Sequence, residues 1–212
     1  MKQILCFGDS NTYGYDPADY VSFTYPEEER WTFIAGKILE DGYKLINEGL
    51  NGRMIPDMRY YSEYVDGLAH SLKTGDVFVI MLGTNDLLMR SRPDASVPLK
   101  KMKMFLEHMM PMARENLFSV LVIAPVLIGK GLDAGGEYYE QNLKMNEGFK
   151  ELAKEYGAFF ADAGNWQVEL AFDHVHFSSK GHQVFAECFA DYLKSSLFSN
   201  LLSSVNEHRQ YF

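Results

Sequence analysis

A hydroxyl, an imidazole and a carboxylate are distributed along this chain as the parts of a nucleophilic centre would be. The run Ile4-Leu5-Cys6-Phe7 is short and apolar, as a buried strand requires, and it breaks off into Gly8-Asp9-Ser10 ahead of a turn glycine, Gly14. In an open α/β sheet the crevice outside the strand ends is where ligands bind, so a strand ending this way puts Ser10 on the floor of such a crevice. Far along the chain, Asp173-His174-Val175-His176 occupies a turn region. An aspartate three residues before a histidine can fold back to accept the imidazole Nδ1–H, which leaves Nε2 as a base. A hydroxyl is a weak nucleophile until a base takes its proton. Ser10, His176 and Asp173 therefore make a coherent set of nucleophile, base and orienter.

Acyl transfer also needs donors aimed at the oxygen that becomes negative. Asn85, at the exit of a third predicted strand, offers a side-chain amide; Gly52, at the exit of a second, offers a backbone N–H that the lack of a Cβ lets come close. The backbone N–H of Ser10 is the third donor. Taken singly, each residue has a plainer reading: Gly-Asp-Ser as an ordinary strand-exit turn, Gly52 as a turn glycine, Asn85 as an Asx turn, His176 as a histidine at a helix entry. The case for a site is that four strand exits each supply one part of a single centre.

The elements that must position these residues alternate along the chain. After the first strand comes an aromatic loop, Tyr15 to Glu29, which Pro17 and Pro26 keep irregular. The spacing predicts a helix over Arg30 to Leu39, stopped by Gly42, a strand over Tyr43 to Ile46, a turn-rich stretch from Asn47 to Arg53, and a helix over Tyr60 to Leu72. Asp76 to Leu82 is a continuous apolar run, the mark of a strand covered on both faces, and it exits into Gly83-Thr84-Asn85-Asp86. A Met-rich helix over Leu99 to Arg114 follows, its Met102, Phe105, Leu106 and Met109 expected in the core. Next come a strand over Leu117 to Ala124, a loop over Gly129 to Gly136, a helix from Tyr138 to Tyr156 and a short strand over Ala158 to Ala161. Ser178 or Ser179 caps a last helix expected to reach about Phe198. Five strands separated by helices imply a three-layer α/β/α sandwich around a doubly wound, five-stranded parallel sheet.

Composition narrows the partners. The 212 residues are 47% hydrophobic and 14% aromatic, enough for a sizeable core and read as one domain, 1–212, with a polar tail over 203–212 that ends in Tyr211 and Phe212. Against 20 Lys and Arg stand 29 Asp and Glu, a formal charge of −9, with no basic block, so nucleic acid and anionic membrane surfaces are poor partners. Cys6 and Cys188 lie in apolar surroundings and read as buried reduced thiols. No signal segment or membrane-spanning run is evident, which gives the expectation of a cytoplasmic protein.

The blocks Gly8-Asp9-Ser10-Asn11-Thr12-Tyr13-Gly14, Glu48-Gly49-Leu50-Asn51-Gly52, Ile80-Met81-Leu82-Gly83-Thr84-Asn85-Asp86 and Asp173-x-x-His176, in this order, together resemble the SGNH (GDSL-type) hydrolases. With Arg30-Trp31 and Asp162-Ala163-Gly164, they look most like the arylesterase and acyltransferase branch. The resemblance implies the flavodoxin-like strand order 2-1-3-4-5 and a serine esterase mechanism that uses no metal or cofactor. By motif, Ser10 is the nucleophile, His176 the base and Asp173 its orienter, with Ser10, Gly52 and Asn85 as the oxyanion hole. Asp9, Tyr13 and Trp31 are the candidates for contact with a small-molecule ester, and Trp31 with the Tyr15 to Tyr25 loop is expected to form an aromatic rim. The resemblance also makes a homo-oligomer plausible.

Within this reading the substrate is a small aryl or alkyl ester with a short acyl group, hydrolysed or transferred to an added alcohol; O-acetyl groups on carbohydrates are the alternative. Two readings of other classes compete. Asp9, Asn85, Asp86, His174 and His176 are all metal-ligand types near strand exits, so a metal-dependent phosphoesterase is one. A non-catalytic binding module on a doubly wound scaffold is the other.

Overall fold

The computed structural model describes residues 1–197. Five parallel strands, β1 (Lys2–Gly8), β2 (Tyr43–Gly49), β3 (Val77–Met81), β4 (Ser119–Ala124) and β5 (Phe159–Asp162), form one sheet in the order β2-β1-β3-β4-β5. The expected order and layering are borne out.

The alternation of side chains along the strands sorts the core into two halves. Leu5, Phe7, Phe78, Ile80, Val120 and Val122 point to one face, where they pack with α3 (Met58–His70), α5 (Ser96–Asn116) and α6 (Glu137–Tyr156). Ile4, Cys6, Val77, Val79, Leu121 and Ile123 point to the other, against α2 (Trp31–Leu39) and α7 (Ser179–Tyr192). Strands buried on both faces must be apolar throughout, which is why β3 reads Val-Phe-Val-Ile-Met without a polar break.

The differences from expectation fall at element ends. β2 continues to Gly49, because Asn47, Glu48 and Gly49 pair in register with Cys6, Phe7 and Gly8. α3 begins two residues early, at Met58, where the Asp57 side chain accepts the Arg59 N–H and caps it. α5 likewise starts at Ser96, and Leu117, at φ +58, ends it rather than opening β4. Ser178, not Ser179, caps α7, its Oγ accepting the Gly181 N–H at 3.0 Å. The expected end of that helix near Phe198, and the tail with Tyr211 and Phe212, lie outside the described residues. Two short helices that the turn chemistry did not suggest stand at strand exits: α1 (Ser10–Tyr13) and α4 (Thr84–Leu88).

Cys6 is buried and Cys188 only half-buried on α7; neither is in a disulfide. Among the described residues no helix is long and apolar enough to cross a membrane.

Candidate active site

β1 delivers Ser10 as the first residue of α1. Asp9 is the N-cap, its carboxylate accepting the Asn11 N–H at 3.0 Å, and Gly14, at φ +93, closes the helix after one turn. Being first in a helix, Ser10 has a backbone N–H that no helical carbonyl satisfies. Gly49, at the end of β2, lets this turn come close: a Cβ there would lie 2.1 Å from the Tyr13 backbone nitrogen.

The second segment, between β5 and α7, is held against α1 from several sides. Ala171 N–H donates to His176 O at 2.7 Å, Leu170 and Phe177 form an isolated antiparallel bridge, and Gly129 N–H donates to His174 O at 2.8 Å. Asn11 then fastens it to the nucleophile's own helix. Its Nδ2 donates to Val175 O at 3.2 Å and its Oδ1 accepts Phe177 N–H at 2.9 Å, so the buried amide grips the backbone on both sides of His176.

The outcome is a continuous relay. Asp173 Oδ2 lies 2.5 Å from His176 Nδ1, and His176 Nε2 lies 2.9 Å from Ser10 Oγ. With Nδ1–H donating to the carboxylate, Nε2 is left to accept the Ser10 hydroxyl proton. Asp173 Oδ1 meanwhile accepts the N–H groups of Val175 and His176, both at 3.0 Å. Partial burial pushes the Asp173 carboxyl up, but these hydrogen bonds, led by the imidazole's, outweigh it and hold it below the usual carboxylate range.

Gly52 and Asn85 come from the two strands that flank β1. Gly52, at φ +74, lies in the exposed turn after β2, and among the described residues its N–H has no hydrogen-bond partner. Asn85 lies in the first turn of α4 and its Nδ2 donates to Arg53 O at 3.1 Å, which leaves one amide proton over. Asp86 fixes the same loop from below. Its fully buried carboxylate accepts the Ile55 N–H at 2.9 Å and lies 2.6 Å from Lys101 Nζ.

The three expected substrate contacts fare differently. Trp31 is 0% exposed: its indole packs on Phe185 and Phe189 of α7 and donates to Asn11 O at 3.1 Å. It is thus a core residue, because the apolar face of α2 turns toward α7 and not toward the crevice. Asp9 is also buried, its carboxylate occupied as a cap. Burial pushes that carboxyl up to about 7, against the Asn11 and Asp9 backbone N–H groups and the nearby Arg53 charge, with Asp86 adding to the rise. Tyr13 stays half-buried beneath the Arg30 guanidinium.

The rim is formed instead by the aromatic loop. The Tyr15 ring lies 4.5 Å from the His176 ring and stacks on Phe23, while Tyr20, Val21 and Phe23 are exposed, as is Phe172 beside Asp173. His174 is exposed too, yet its ring rests against Gly129 and Gly131. Among the described residues no group of three His, Cys, Asp or Glu is placed to hold a metal ion. Asn11 and Arg53 went unassigned in the sequence. Their one local signal is position, directly after Ser10 and after Gly52.

The chain covers 92% of its own length and 99% of a carbohydrate acetylesterase from Sinorhizobium meliloti, at 27% identity and a TM-score of 0.74. Coverage and TM-score are the same for a proposed arylesterase from Agrobacterium tumefaciens, at 28% identity. An aryl esterase from M. smegmatis, 24% identical over 92% of this chain and 99% of that one, shares the fold with a TM-score of 0.76. No curated protein matches the sequence. The sequence model of the GDSL-like lipase/acylhydrolase family matches residues 6–184. The chain belongs to that family, the GDSL-like lipases and acylhydrolases, and is a serine-type carboxylic ester hydrolase.

Proposed function

We propose that this protein hydrolyses short-chain esters of small alcohols and phenols through an acyl-enzyme on Ser10. The observation that carries the proposal is the unbroken line from Asp173 Oδ2 to His176 Nδ1, 2.5 Å, and from His176 Nε2 to Ser10 Oγ, 2.9 Å. Ser10 Oγ attacks the ester carbonyl carbon as its proton passes to His176 Nε2. The charge that develops on the carbonyl oxygen is met by the N–H groups of Ser10 and Gly52 and by the spare amide proton of Asn85. Collapse of the tetrahedral species expels the alcohol, which takes the proton from His176. Water then attacks the acyl-enzyme in the same way, and the carboxylic acid leaves. Asp173, held ionised by its hydrogen bonds, stabilises the imidazolium in both steps. An added alcohol in place of water gives acyl transfer, which the Tyr15 ring, packed on His176 and stacked on Phe23, favours by shielding the imidazole from water.

The likeness to the Sinorhizobium acetylesterase supports a second reading, removal of O-acetyl groups from carbohydrates by the same steps. A cytoplasmic location is part of the proposal, supported by two free thiols, as is a single domain over 1–212 without a nucleic-acid partner, supported by one shared sheet and a charge of −9.

The test is hydrolysis of nitrophenyl esters from acetate to octanoate, with chelator present, by wild type and Ser10→Ala. Turnover of the short chains that vanishes in the variant is the expected result, and an acetylated sugar assayed alongside separates the two substrate readings. Equal rates in both proteins would reduce Ser10 to a turn residue.

A further inference from the structure

Arg53 is spent mainly on backbone, with the Tyr64 hydroxyl and the Glu48 and Asp9 carboxylates nearby. Its Nη1 donates to Gly8 O at 3.0 Å and to Glu48 O, its own N–H donates to Leu50 O at 3.1 Å, and its carbonyl accepts Asn85 Nδ2 at 3.1 Å. The guanidinium carbon lies 4.2 Å from the centre of the Phe7 ring, so the charged end is also held by the ring. Among the described residues Arg53 enters no ion pair. Surface arginines held only by carboxylates fix little, whereas this guanidinium joins the carboxyl ends of two neighbouring strands, β1 through Gly8 and β2 through Glu48, while the backbone carbonyl of the same residue holds Asn85 after β3.

Those three strands are the ones from which the proposed oxyanion donors come. Ser10 follows β1, Gly52 lies in the turn that the Arg53-to-Leu50 bond closes, and Asn85 follows β3. We infer that Arg53 is the positioning residue of the oxyanion hole: its guanidinium ties the strand end that carries Ser10 to the one that leads to Gly52, and so sets the turn whose Arg53 carbonyl holds Asn85, while it touches no reacting atom. This inference rests on the ester-hydrolase site proposed above. Preorganised donors act on the charge of the transition state and little on the ground-state ester, so loosening them lowers kcat and leaves KM nearly unchanged.

The experiment compares wild type, Arg53→Met, Arg53→Lys and Ser10→Ala on nitrophenyl acetate, with functional sites counted by a serine-reactive phosphonate. Methionine keeps an unbranched apolar side chain beside Phe7 but removes the guanidinium donors, leaving the backbone bonds of residue 53 in place; lysine restores a cation that can reach the two carbonyls. The expected result is a kcat per titrated site about a hundredfold lower in Arg53→Met, partly recovered in Arg53→Lys. Affinity for a boronic acid, which forms a tetrahedral adduct on the serine, should fall in the same proportion as kcat/KM. A residue that only supports the fold would lower the number of titrated sites and the melting temperature, with kcat per site intact. Values within about threefold of wild type in both Arg53 variants would overturn the inference. If Arg53→Met does not fold, Arg53→Lys alone decides, since a kcat per site equal to wild type with unchanged boronic acid affinity means the guanidinium fork is not needed. Wild-type hydrolysis that survives in Ser10→Ala would instead overturn the reading beneath it, and the inference with it.

Discussion

At the scale of single residues, the 2.9 Å contact between Ser10 and His176 makes the hydroxyl the group whose loss is felt most. Ser10→Ala should lower turnover by about 10⁶-fold if the three residues act as a unit. Asp173→Asn keeps the shape of its side chain but favours the wrong imidazole tautomer, and a loss of roughly 10⁴-fold is expected. Asn85→Ala removes one oxyanion donor and should cost about 10²–10³ in kcat; steady-state kinetics on nitrophenyl acetate checks all three. An Asn85→Ala enzyme running within a few fold of wild type would remove that residue from the hole. These residues are readable because their types and spacing are local: Asp173 and His176 are three apart, and Ser10 comes two residues after a strand ends. Trp31 was misread for the same reason. An aromatic residue at a helix start looks alike whether it faces the crevice or, as here, is 0% exposed against α7.

At the scale of elements, the site depends on how closely α1, the end of β2 and the loop before α7 are stapled. Asn11→Ala cuts both hydrogen bonds that bracket His176 and leaves buried backbone groups unpaired, at a cost of about 1–3 kcal/mol. Denaturant melts should register that loss. The fall in kcat should exceed it, because His176 loses its fixed approach to Ser10. Gly49→Ala tests the other side. Its Cβ would fall 2.1 Å from Tyr13 N, and since backbone has to move to admit it, a destabilisation of about 1–3 kcal/mol is expected together with reduced labelling of Ser10 by a phosphonate. Full labelling and an unchanged melt would show that α1 adapts freely. Element existence followed from periodicity and from Gly and Pro punctuation, but α1 and α4 did not. Helices of four and five residues have too few turns to show a period, and both are held by their place at a strand exit.

At the scale of the whole molecule, two buried titratable groups near the site set opposite responses to pH. Asp9 holds its proton up to about 7 in the folded protein, against an ordinary value of 3.8, so its contribution is full in acid and is lost as pH rises through 7. His182, on α7, behaves in reverse. Burial, with the Arg30 and His176 charges, pushes it from 6.5 down to about 4, so its contribution is full above 6.5 and is lost as pH falls through 4. Between pH 4 and 6.5 the two slopes oppose each other. Asp9→Asn should therefore melt progressively lower than wild type as pH falls across this window, and His182→Gln progressively lower as pH rises from 4 to 7. Melting curves parallel to wild type at every pH would contradict both assignments.

The alternation of strands and helices, the parallel sheet with both faces covered and the residue types waiting at the strand exits are all legible in the sequence. Each of these is written over a few consecutive residues, as in the apolar run of β3 or the Gly-Asp-Ser break after β1. It took the folded chain to show that Ser10 and His176, 166 positions apart, meet at 2.9 Å, that Asn11 grips the loop on both sides of His176, that the Arg53 guanidinium bridges two strand ends, and that Trp31 lies in the core. The physical reason is the kind of bond involved. A side chain that reaches a backbone carbonyl on another strand leaves no periodicity and needs no matching charge, so nothing in the neighbouring residues announces it until the sheet has brought those strand ends side by side.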